Sequence, residues 1–418
     1  MRNAESSPAK LARLPDDELL EAVQRSTFRF FWEGAHPESG LARDRITRSG
    51  APDDDLIAIG GSGFGIMALI VAVERGWLER TAAIERLGRS LELLTRATRH
   101  HGAFPHFMNG RTGATIPFTA TDDGGDLVET SFLLMGLLCA REYFSSREPE
   151  ESQIRDLIQG LWHEVEWDWY TRDTRTVLYW HWSPRHGWVM DHAIHGWNEC
   201  LMTYLLAAAA PRHAADPVIY HRGFAAGGDF INGNSYHGIV LPLGPAYGGP
   251  LFFAHYSFCG LDPRGLKDRY ADYWRQNLHH VRINHEHCVR NPLHHPGYGA
   301  TCWGLTASDD AEGYAAHSPA NDNGTISPTA ALSSMPYAPR EAIAAIRHFL
   351  ELGDDLWGPY GFVDAFNEGA RWFADTYLAI DQGPIVVMIE NYRSGLLWRL
   401  FMQAAEIKIG LSRLEFTR

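Results

Sequence analysis

The sequence predicts an all-α protein folded as a single (α/α)6 toroid, six hairpins of one outer and one inner helix each. Two observations lead there. Helical segments alternate between an amphipathic kind, with apolar residues on one stripe, and a kind that is apolar nearly all round, and the pair recurs six times. A helix apolar on every side must be buried on every side, so the second kind belongs inside the first. Strand–helix alternation is not visible, which disfavours a doubly wound α/β fold. No internal repeat of fixed period is present, which disfavours a solenoid. The chain has 418 residues, 45% of them hydrophobic. That length ordinarily suggests two or three domains, but a closed ring absorbs it in one. The expected organisation is a flexible lead-in over 1–15 and one catalytic domain over 16–418.

The elements follow in order. Segment 16–33 is read as amphipathic, and GFGIMALIVAV (63–73) as buried. Segment 80–99 carries the stripe Ile84, Leu87, Leu91 and Leu94, ahead of the buried LVETSFLLMGLLCA (127–140). Segment 151–166 repeats the outer type through Ile154, Ile158, Leu161 and Trp162, ahead of ECLMTYLLAAAA (199–210). The fourth and fifth pairs are 216–226 with FFAHYSFCG (252–260) and 264–282 with SPTAALSSM (327–335). The last pair is 339–352, striped by Ile343, Ile346, Phe349 and Leu350, with PIVVMIENY (384–392). Long loops rich in Gly, Trp, His and Asn enter the inner helices at 100–125, 167–196, 229–250, 286–326 and 353–380. Loops of that length in a compact domain are usually functional. All precede inner helices, so a toroid gathers them on one face, and that face is the expected site.

Composition narrows the partners. The net charge of −14 gives no basic footprint for nucleic acid or an anionic membrane, and no apolar run is long enough to span a bilayer. The N-terminus shows no apolar signal core. A cytoplasmic location is therefore expected, or a periplasmic or secreted one if a leader has been removed. Five sparse cysteines do not make a disulfide framework. The chain holds 14 Trp, 16 Tyr, 20 Phe and 21 His. Many lie in the loops, where aromatic faces could stack on sugars, although a large core also holds many aromatics.

Acids mark three inner-helix starts. In TDDGGDLVET (121–130), Asp126 fits an N-cap and Glu129 follows three residues later, a capping-box arrangement. Capping uses two acids and leaves Asp122 and Asp123 unexplained; crowded carboxylates raise one another's pKa. In HGWNECLMTYLL (195–206), Asn198 is a good cap and Glu199 sits in the first turn beside Trp197. In LAIDQGPIVVMIENY (378–392), Asp381 caps a helix whose first turn contains Pro384. One such acid is capping. Three on one face of a ring, among aromatic loops, suit glycoside hydrolysis, which needs one carboxylic acid for the leaving oxygen and one carboxylate for water or the sugar. HEHC (285–288) with His294 and His295 fits no standard zinc spacing, so no metal and no other cofactor is expected. GGSGFG (60–65) follows no clear strand, and close helix packing is the better reason for its glycines.

These motifs carry a family likeness. STFRFFWEGAHPESGLARDR (26–45), GSGFGIMALIVAVERGW (61–77), GAFPHFMN (102–109), DLVETSFLLMGLL (126–138), GWNE (196–199), GPLFFAHYSF (249–258), GLTASDDAEGYAAHSP (304–319), DNGTISPTAALSSMPYAP (322–339) and the stretch around Asp381 resemble the bacterial glycoamylase-like family, which includes the β-1,2-glucanases of glycoside hydrolase family 144. The resemblance implies a toroid, an inverting hydrolase of β-1,2-linked glucan or its sophoro-oligosaccharides, and no cofactor. By motif position it implies Glu199 as general acid and Asp381 as general base, with Asp126 and Glu129 in the same cleft. Local crowding instead favours Glu129 as the high-pKa acid. Asp122, His106, Trp197, His255, Tyr256, Trp303, Asp309, Asp310, Tyr314 and His317 lie in or beside matching segments as candidate sugar contacts, and Trp180, Trp182 and Trp188 make the loop 169–192 a candidate platform. Action on another glucan, transglycosylation, and a non-catalytic glycan-binding protein are the competing expectations.

Overall fold

The computed structural model describes residues 7–52, 54–172 and 175–418. The first six residues of the expected lead-in lie outside them. Helices dominate: α1 (Pro8–Leu11), α2 (Asp16–Trp32), α3 (Ile59–Glu74), α4 (Arg80–Arg96), α5 (Leu127–Tyr143), α6 (Pro149–His163), α7 (Leu201–Ala209), α8 (Tyr273–Arg290), α9 (Pro328–Leu332), α10 (Pro339–Glu351), α11 (Ala379–Arg393), α12 (Leu396–Gln403) and α13 (Ala405–Arg413). The two helical kinds separate as their sequences require. In α3, α5 and α11 nearly every side chain is buried. In α4, α6 and α10 one stripe is buried, including Leu87, Leu91 and Leu94 of α4 and Ile346, Phe349 and Leu350 of α10. Each large apolar side chain so enclosed contributes about 1.5–3 kcal/mol, which fixes α3, α5 and α11 at the centre.

Inner helices contact one another in sequence around that centre. Helix α3 packs against both α5 and α11, α5 against α7, and α9 against α11. The α3–α5 contact is close because glycine faces glycine. A Cβ on Gly63 would collide with the Phe132 carbonyl, and one on Gly136 with the Gly63 carbonyl. The glycines of GGSGFG are thus packing glycines, Gly60 and Gly63 against α5, Gly61 against Ala379 of α11 and Gly65 against Phe31 of α2.

Several elements depart from the sequence reading. Segment 216–226 forms only a five-residue π turn, Tyr220–Phe224, in a stretch broken by Gly223, Gly227 and Gly228. Segment 252–260 forms two short 3-10 turns, Leu251–Ala254 and Ser257–Cys259. The helix expected over 264–282 starts at Tyr273, where the Asp272 carboxylate caps the Arg275 N–H at 3.0 Å, and runs on to Arg290. HEHC is therefore the end of a helix, not loop. Helix α9 is barely more than a turn. Past the last inner helix, α12 packs on α5 and α13 on α7, an unforeseen closure of the bundle's underside. Helix α1, inside the expected lead-in, packs on α10, where Arg347 donates to the Leu14 carbonyl at 2.9 Å.

The loops also hold short antiparallel strands that the reading missed. Residues 45–47 pair with 376–378, 125–126 with 181–182, 307–310 with 313–316, and 56–58 with 107–109, which also pairs with 115–116. Three of these strands run straight into inner helices: Leu56–Ala58 into α3, Gly125–Asp126 into α5 and Thr376–Leu378 into α11. A helix start needs an extended residue at its cap, and strand pairing supplies it in a fixed register. All five cysteines are unpaired and buried. No helix among the described residues is long and apolar enough to cross a membrane.

Candidate active site

The first acidic wall stands at the start of α5. Asp126 Oδ1 accepts the Val128 and Glu129 N–H groups at 3.0 and 2.9 Å, the expected cap. Its other oxygen faces His106 Nδ1 at 3.0 Å and His181 Nδ1 at 3.8 Å. His181 is there because Asp126 and His181 are register partners in the 125–126/181–182 strand pair. Burial alone would raise the Asp126 pKa, but the His106 hydrogen bond and the two imidazoles hold it below the ordinary value. Glu129 Oε2 accepts the N–H of Gly60, in the first turn of α3, at 2.7 Å. Burial, with Asp126 nearby, pushes Glu129 up to about 7 against the opposing pull of His106 and this N–H. Burial would lower His106; the carboxylates of Glu129, Asp126 and Asp122 outweigh it and hold the ring protonated, at about 10. Asp122 Oδ1 lies 3.4 Å from His181 Nδ1. Asp123, left without a role by the sequence, receives the Ser183 hydroxyl at 2.5 Å and pairs with Arg185, which ties down the 169–192 loop.

Glu199 lies just before α7, where Asn198 Oδ1 accepts the Cys200 N–H at 3.0 Å. Its side chain is half-buried. Its backbone carbonyl is held by Ser257 Oγ, which also accepts the Met202 N–H at 2.9 Å, so the irregular 251–259 turns brace this helix start. Burial, added to the charges of Glu129 and Asp126, raises Glu199 to about 7. Both Glu129 and Glu199 can therefore hold a proton near neutrality, as a general acid must.

The second wall stands at the start of α11. Asp381 is 2% exposed. Its Oδ1 accepts the Tyr256 hydroxyl at 3.4 Å, and its backbone carbonyl accepts Thr329 Oγ1 of α9 at 2.7 Å. Its carboxyl group lies beside that of Asp364, close enough for each to perturb the other. Asp364 Oδ2 also accepts the Asp309 N–H at 2.7 Å. Asp309 in turn accepts Thr376 Oγ1 at 2.6 Å and Arg45 Nη1 at 3.3 Å. Burial, then the neighbouring acids, pushes Asp381 well above its ordinary value and Asp364 to about 7. The walls lie within electrostatic reach of one another. Glu129 senses Asp44, and Asp44 senses both His106 and Asp309, while Tyr256 senses Asp381, Glu199 and Asp364. A cavity of about 540 Å³ adjoins them, lined by Asp44, Arg45, Thr47, Asp54 and Leu56 among others.

The structure brings together Asp122, Asp126, Glu129, His106, Glu199, Tyr256, Asp309 and Asp381. Tyr314, on the 307–316 hairpin opposite Asp309, is 53% exposed and available to a ligand. Trp180 stacks against His181 and His192, which also touch each other, and Trp182 packs on His101 and Trp169; Trp180 and Trp182 are both half-open. Trp188 lies instead with Trp169 on a separate cavity that also takes in Asp168 and Arg172. Five expected sugar contacts need correction. Trp197 is enclosed by Phe224, Phe230, Phe258 and Tyr273 and offers no free face. Trp303 is wholly buried, donating to the Glu341 carbonyl of α10 at 3.3 Å. His255 is buried against Ser334 at 3.0 Å, and burial drives its pKa down to about 3, so it is a neutral core residue. Asp310 and His317 bond each other at 3.2 Å, and Asp310 also caps the hairpin turn, which makes them scaffolding. His287 of the HEHC run pairs with Asp322 at 2.8 Å. Sequence reasoning missed Asp44, Arg45, His181 and Asp364. The first two lie in GLARDR, inside a quoted motif but in a loop, 33–58, not counted among the long ones. Asp364 lies in GFVDAFNE and caps nothing, so no helix signal pointed to it.

A helix-rich fold with buried acids gathered at its inner-helix starts is of the helical toroid type. The family model for Glycoamylase, described as "Putative glucoamylase", matches residues 191–405, and the chain belongs to that family. A curated relative from Parabacteroides distasonis, named an exo β-1,2-glucooligosaccharide sophorohydrolase (non-reducing end), is 44% identical over 96% of this chain and 58% of its own length. The chain thus spans a little over half of that relative. A solved structure from Bacteroides uniformis bearing the same glucoamylase description is 53% identical, with a TM-score of 0.94 over 97% of this chain and 98% of the other. The endo-β-1,2-glucanase of Chitinophaga pinensis, solved with sophorotriose and glucose, is 49% identical, with a TM-score of 0.94 over 97% of this chain and 99% of the other.

Proposed function

We propose that residues 16–418 form one catalytic domain that hydrolyses β-1,2-linked glucan or its sophoro-oligosaccharides with inversion. The ring is an (α/α)6 toroid whose inner members are α3, α5, α7, the turns over 251–259, α9 and α11. Its outer members are α2, α4, α6, the turn over 220–224, α8 and α10. The observation that carries the function is the gathering of buried acids at the inner-helix starts within electrostatic reach of one another, with Glu129 and Glu199 holding protons near pH 7. The names of the Parabacteroides and Chitinophaga relatives support the linkage.

In this mechanism Glu199 is the general acid. It enters the reaction protonated and gives its proton to the glycosidic oxygen as that bond breaks. Asp381 is the general base for the water that attacks the anomeric carbon from the opposite face, which inverts its configuration. Asp126, Glu129, Asp122 and charged His106 hold the sugar beside Glu199, and Tyr256 and Tyr314 do so beside Asp381.

Incubation with linear β-1,2-glucan and with sophoro-oligosaccharides, followed by product analysis and anomeric NMR, tests this. Sophoro-oligosaccharide or sophorose products of inverted configuration are expected, and product length reads endo against exo action. Glu199→Gln and Asp381→Asn should each lower kcat by about 10³-fold or more. Release of glucose from starch with β-1,2-glucan untouched would overturn the linkage. Unchanged turnover in both variants would overturn the catalytic assignment.

A further inference from the structure

We propose that Asp364 is the positioning residue of the base: its Oδ1 and Asp381 Oδ2 share a single proton, so the two carboxyl groups act as one unit. This rests on the assignment of Asp381 as base and adds a residue to it.

Two atoms carry the argument. Asp364 Oδ1 and Asp381 Oδ2 are both buried, and both lack any donor among the described residues. A buried carboxylate oxygen without a donor costs about 1–3 kcal/mol or more. Two of them on carboxyl groups in contact with each other would add like-charge repulsion to that cost. One proton between the two oxygens removes both problems: it supplies the missing hydrogen bond and neutralises one charge. The remaining oxygens already have their donors. Asp364 Oδ2 accepts the Asp309 N–H at 2.7 Å, and Asp381 Oδ1 accepts the Tyr256 hydroxyl at 3.4 Å.

The groups around the pair favour a single retained proton over full ionisation. Asp309 adds a further negative charge, and Glu199 and Asp44 lie in the same field. The Arg45 guanidinium lies within reach of Asp364, but it is engaged with Asp309 and Asp44. Tyr256 and Tyr314 are uncharged donors at neutral pH. Burial and these neighbours push both acids above the ordinary carboxylate range, as a shared proton requires.

The proton count closes. At rest the pair holds one proton and Glu199 one. On hydrolysis water gives a proton to the pair, and Glu199 gives its own to the leaving oxygen. The pair then releases its extra proton to solvent and Glu199 regains one. Because the resting proton already lies between the two acids, the ionised oxygen that receives the new one is held in place by its neighbour.

The test is the pH profile of kcat on a sophoro-oligosaccharide for the wild type, Asp364→Asn and Asp381→Asn. An amide at 364 still donates to Asp381 but can neither share a proton nor repel it. Both changes lower the pKa of Asp381. The acidic limb of Asp364→Asn is therefore expected to move down by at least about one pH unit, kcat to fall about tenfold or more, and KM to stay within about twofold. A fall in kcat with the limb unmoved would mean that Asp364 only supports the fold and would overturn the inference. Asp381→Asn separates the two ideas: if it retains activity, the base assignment fails; if it is inactive while the Asp364→Asn limb is unmoved, only the shared proton fails. Should Asp364→Asn not fold, ¹³C-carboxyl NMR of the wild type with labelled Asp decides. One aspartate pair titrating in two separated steps is expected, and no buried aspartic acid protonated near neutral pH would overturn the proposal.

Discussion

The two acidic walls solve the same electrostatic problem differently. At the start of α5, Asp122, Asp126 and Glu129 are balanced by imidazoles: His106 lies 3.0 Å from Asp126, and His181 lies 3.4 Å from Asp122. At the start of α11, Asp309, Asp364 and Asp381 are faced by Arg45, whose side chain is 44% exposed and bonded to Asp309 at the far end of the chain of contacts. In the first wall Asp126 is neutralised by imidazoles, while Glu129, raised to about 7, retains a proton near neutrality. The second is neutralised by retained protons. A buried carboxylate beside a cation stays charged across the working pH range, whereas one raised by burial and by other acids titrates within it. Asp126 is thus suited to holding a sugar, and the raised acids of both walls to moving a proton.

His106→Ala should break this contrast most strongly. It removes the protonated partner of a buried carboxylate, which typically costs about 3 kcal/mol, and Glu129 should rise further because the main opponent of its shift is gone. Urea unfolding and the pH dependence of turnover measure the two effects. Arg45→Met is the matching change in the second wall. It should cost less than about 1 kcal/mol, because the guanidinium is exposed and screened. A cost equal to that of His106→Ala would mean that the second wall also depends on a cation.

A pH slope is the third effect expected. Glu129 and Glu199 rise from 4.5 to about 7 on folding, so their contribution is complete below about 4.5 and is lost as the pH passes through 7. His106 rises from 6.5 to about 10, so its contribution is complete below about 6.5 and is lost through 10. Asp126, held low, acts in the opposite direction only in acid. Buried neutral His255 and His280, lowered from 6.5 to about 3 and about 4, act the other way below about pH 6.5, so the thermal midpoint should fall steadily from about pH 7 to about pH 9, and His106→Ala should flatten the upper part. A midpoint that rises over that range would contradict the assigned shifts.

Much of this was legible because it depends on periodic or local signals. The buried runs of α3, α5 and α11 are long enough to identify, and Asp126 and Glu199 stand beside cap residues. What could not be read depends on distant pairing. The 252–260 run is as apolar as a helix, yet it breaks into two turns. Trp197 and Trp303 looked like loop aromatics until core packing claimed them. His181 reaches Asp126 only through a two-residue strand pair, too short for any period-two pattern. Asp364 is tied to Asp381 across 17 residues with no local mark at all.

The paired strands ahead of α3, α5 and α11 have a consequence for how such a chain can change over time. They pin the carboxylate-bearing stretches by backbone pairing, Asp126 opposite His181, and Arg45, which follows Asp44, opposite Leu378, three residues before Asp381. Insertions and deletions in the loop tips beyond those strands leave the pinned positions where they are. The rim can therefore be lengthened, shortened or recoloured to suit a longer or shorter sugar chain while the reacting groups keep their spacing, so variation in product size and constancy of chemistry occupy different stretches of the same loops.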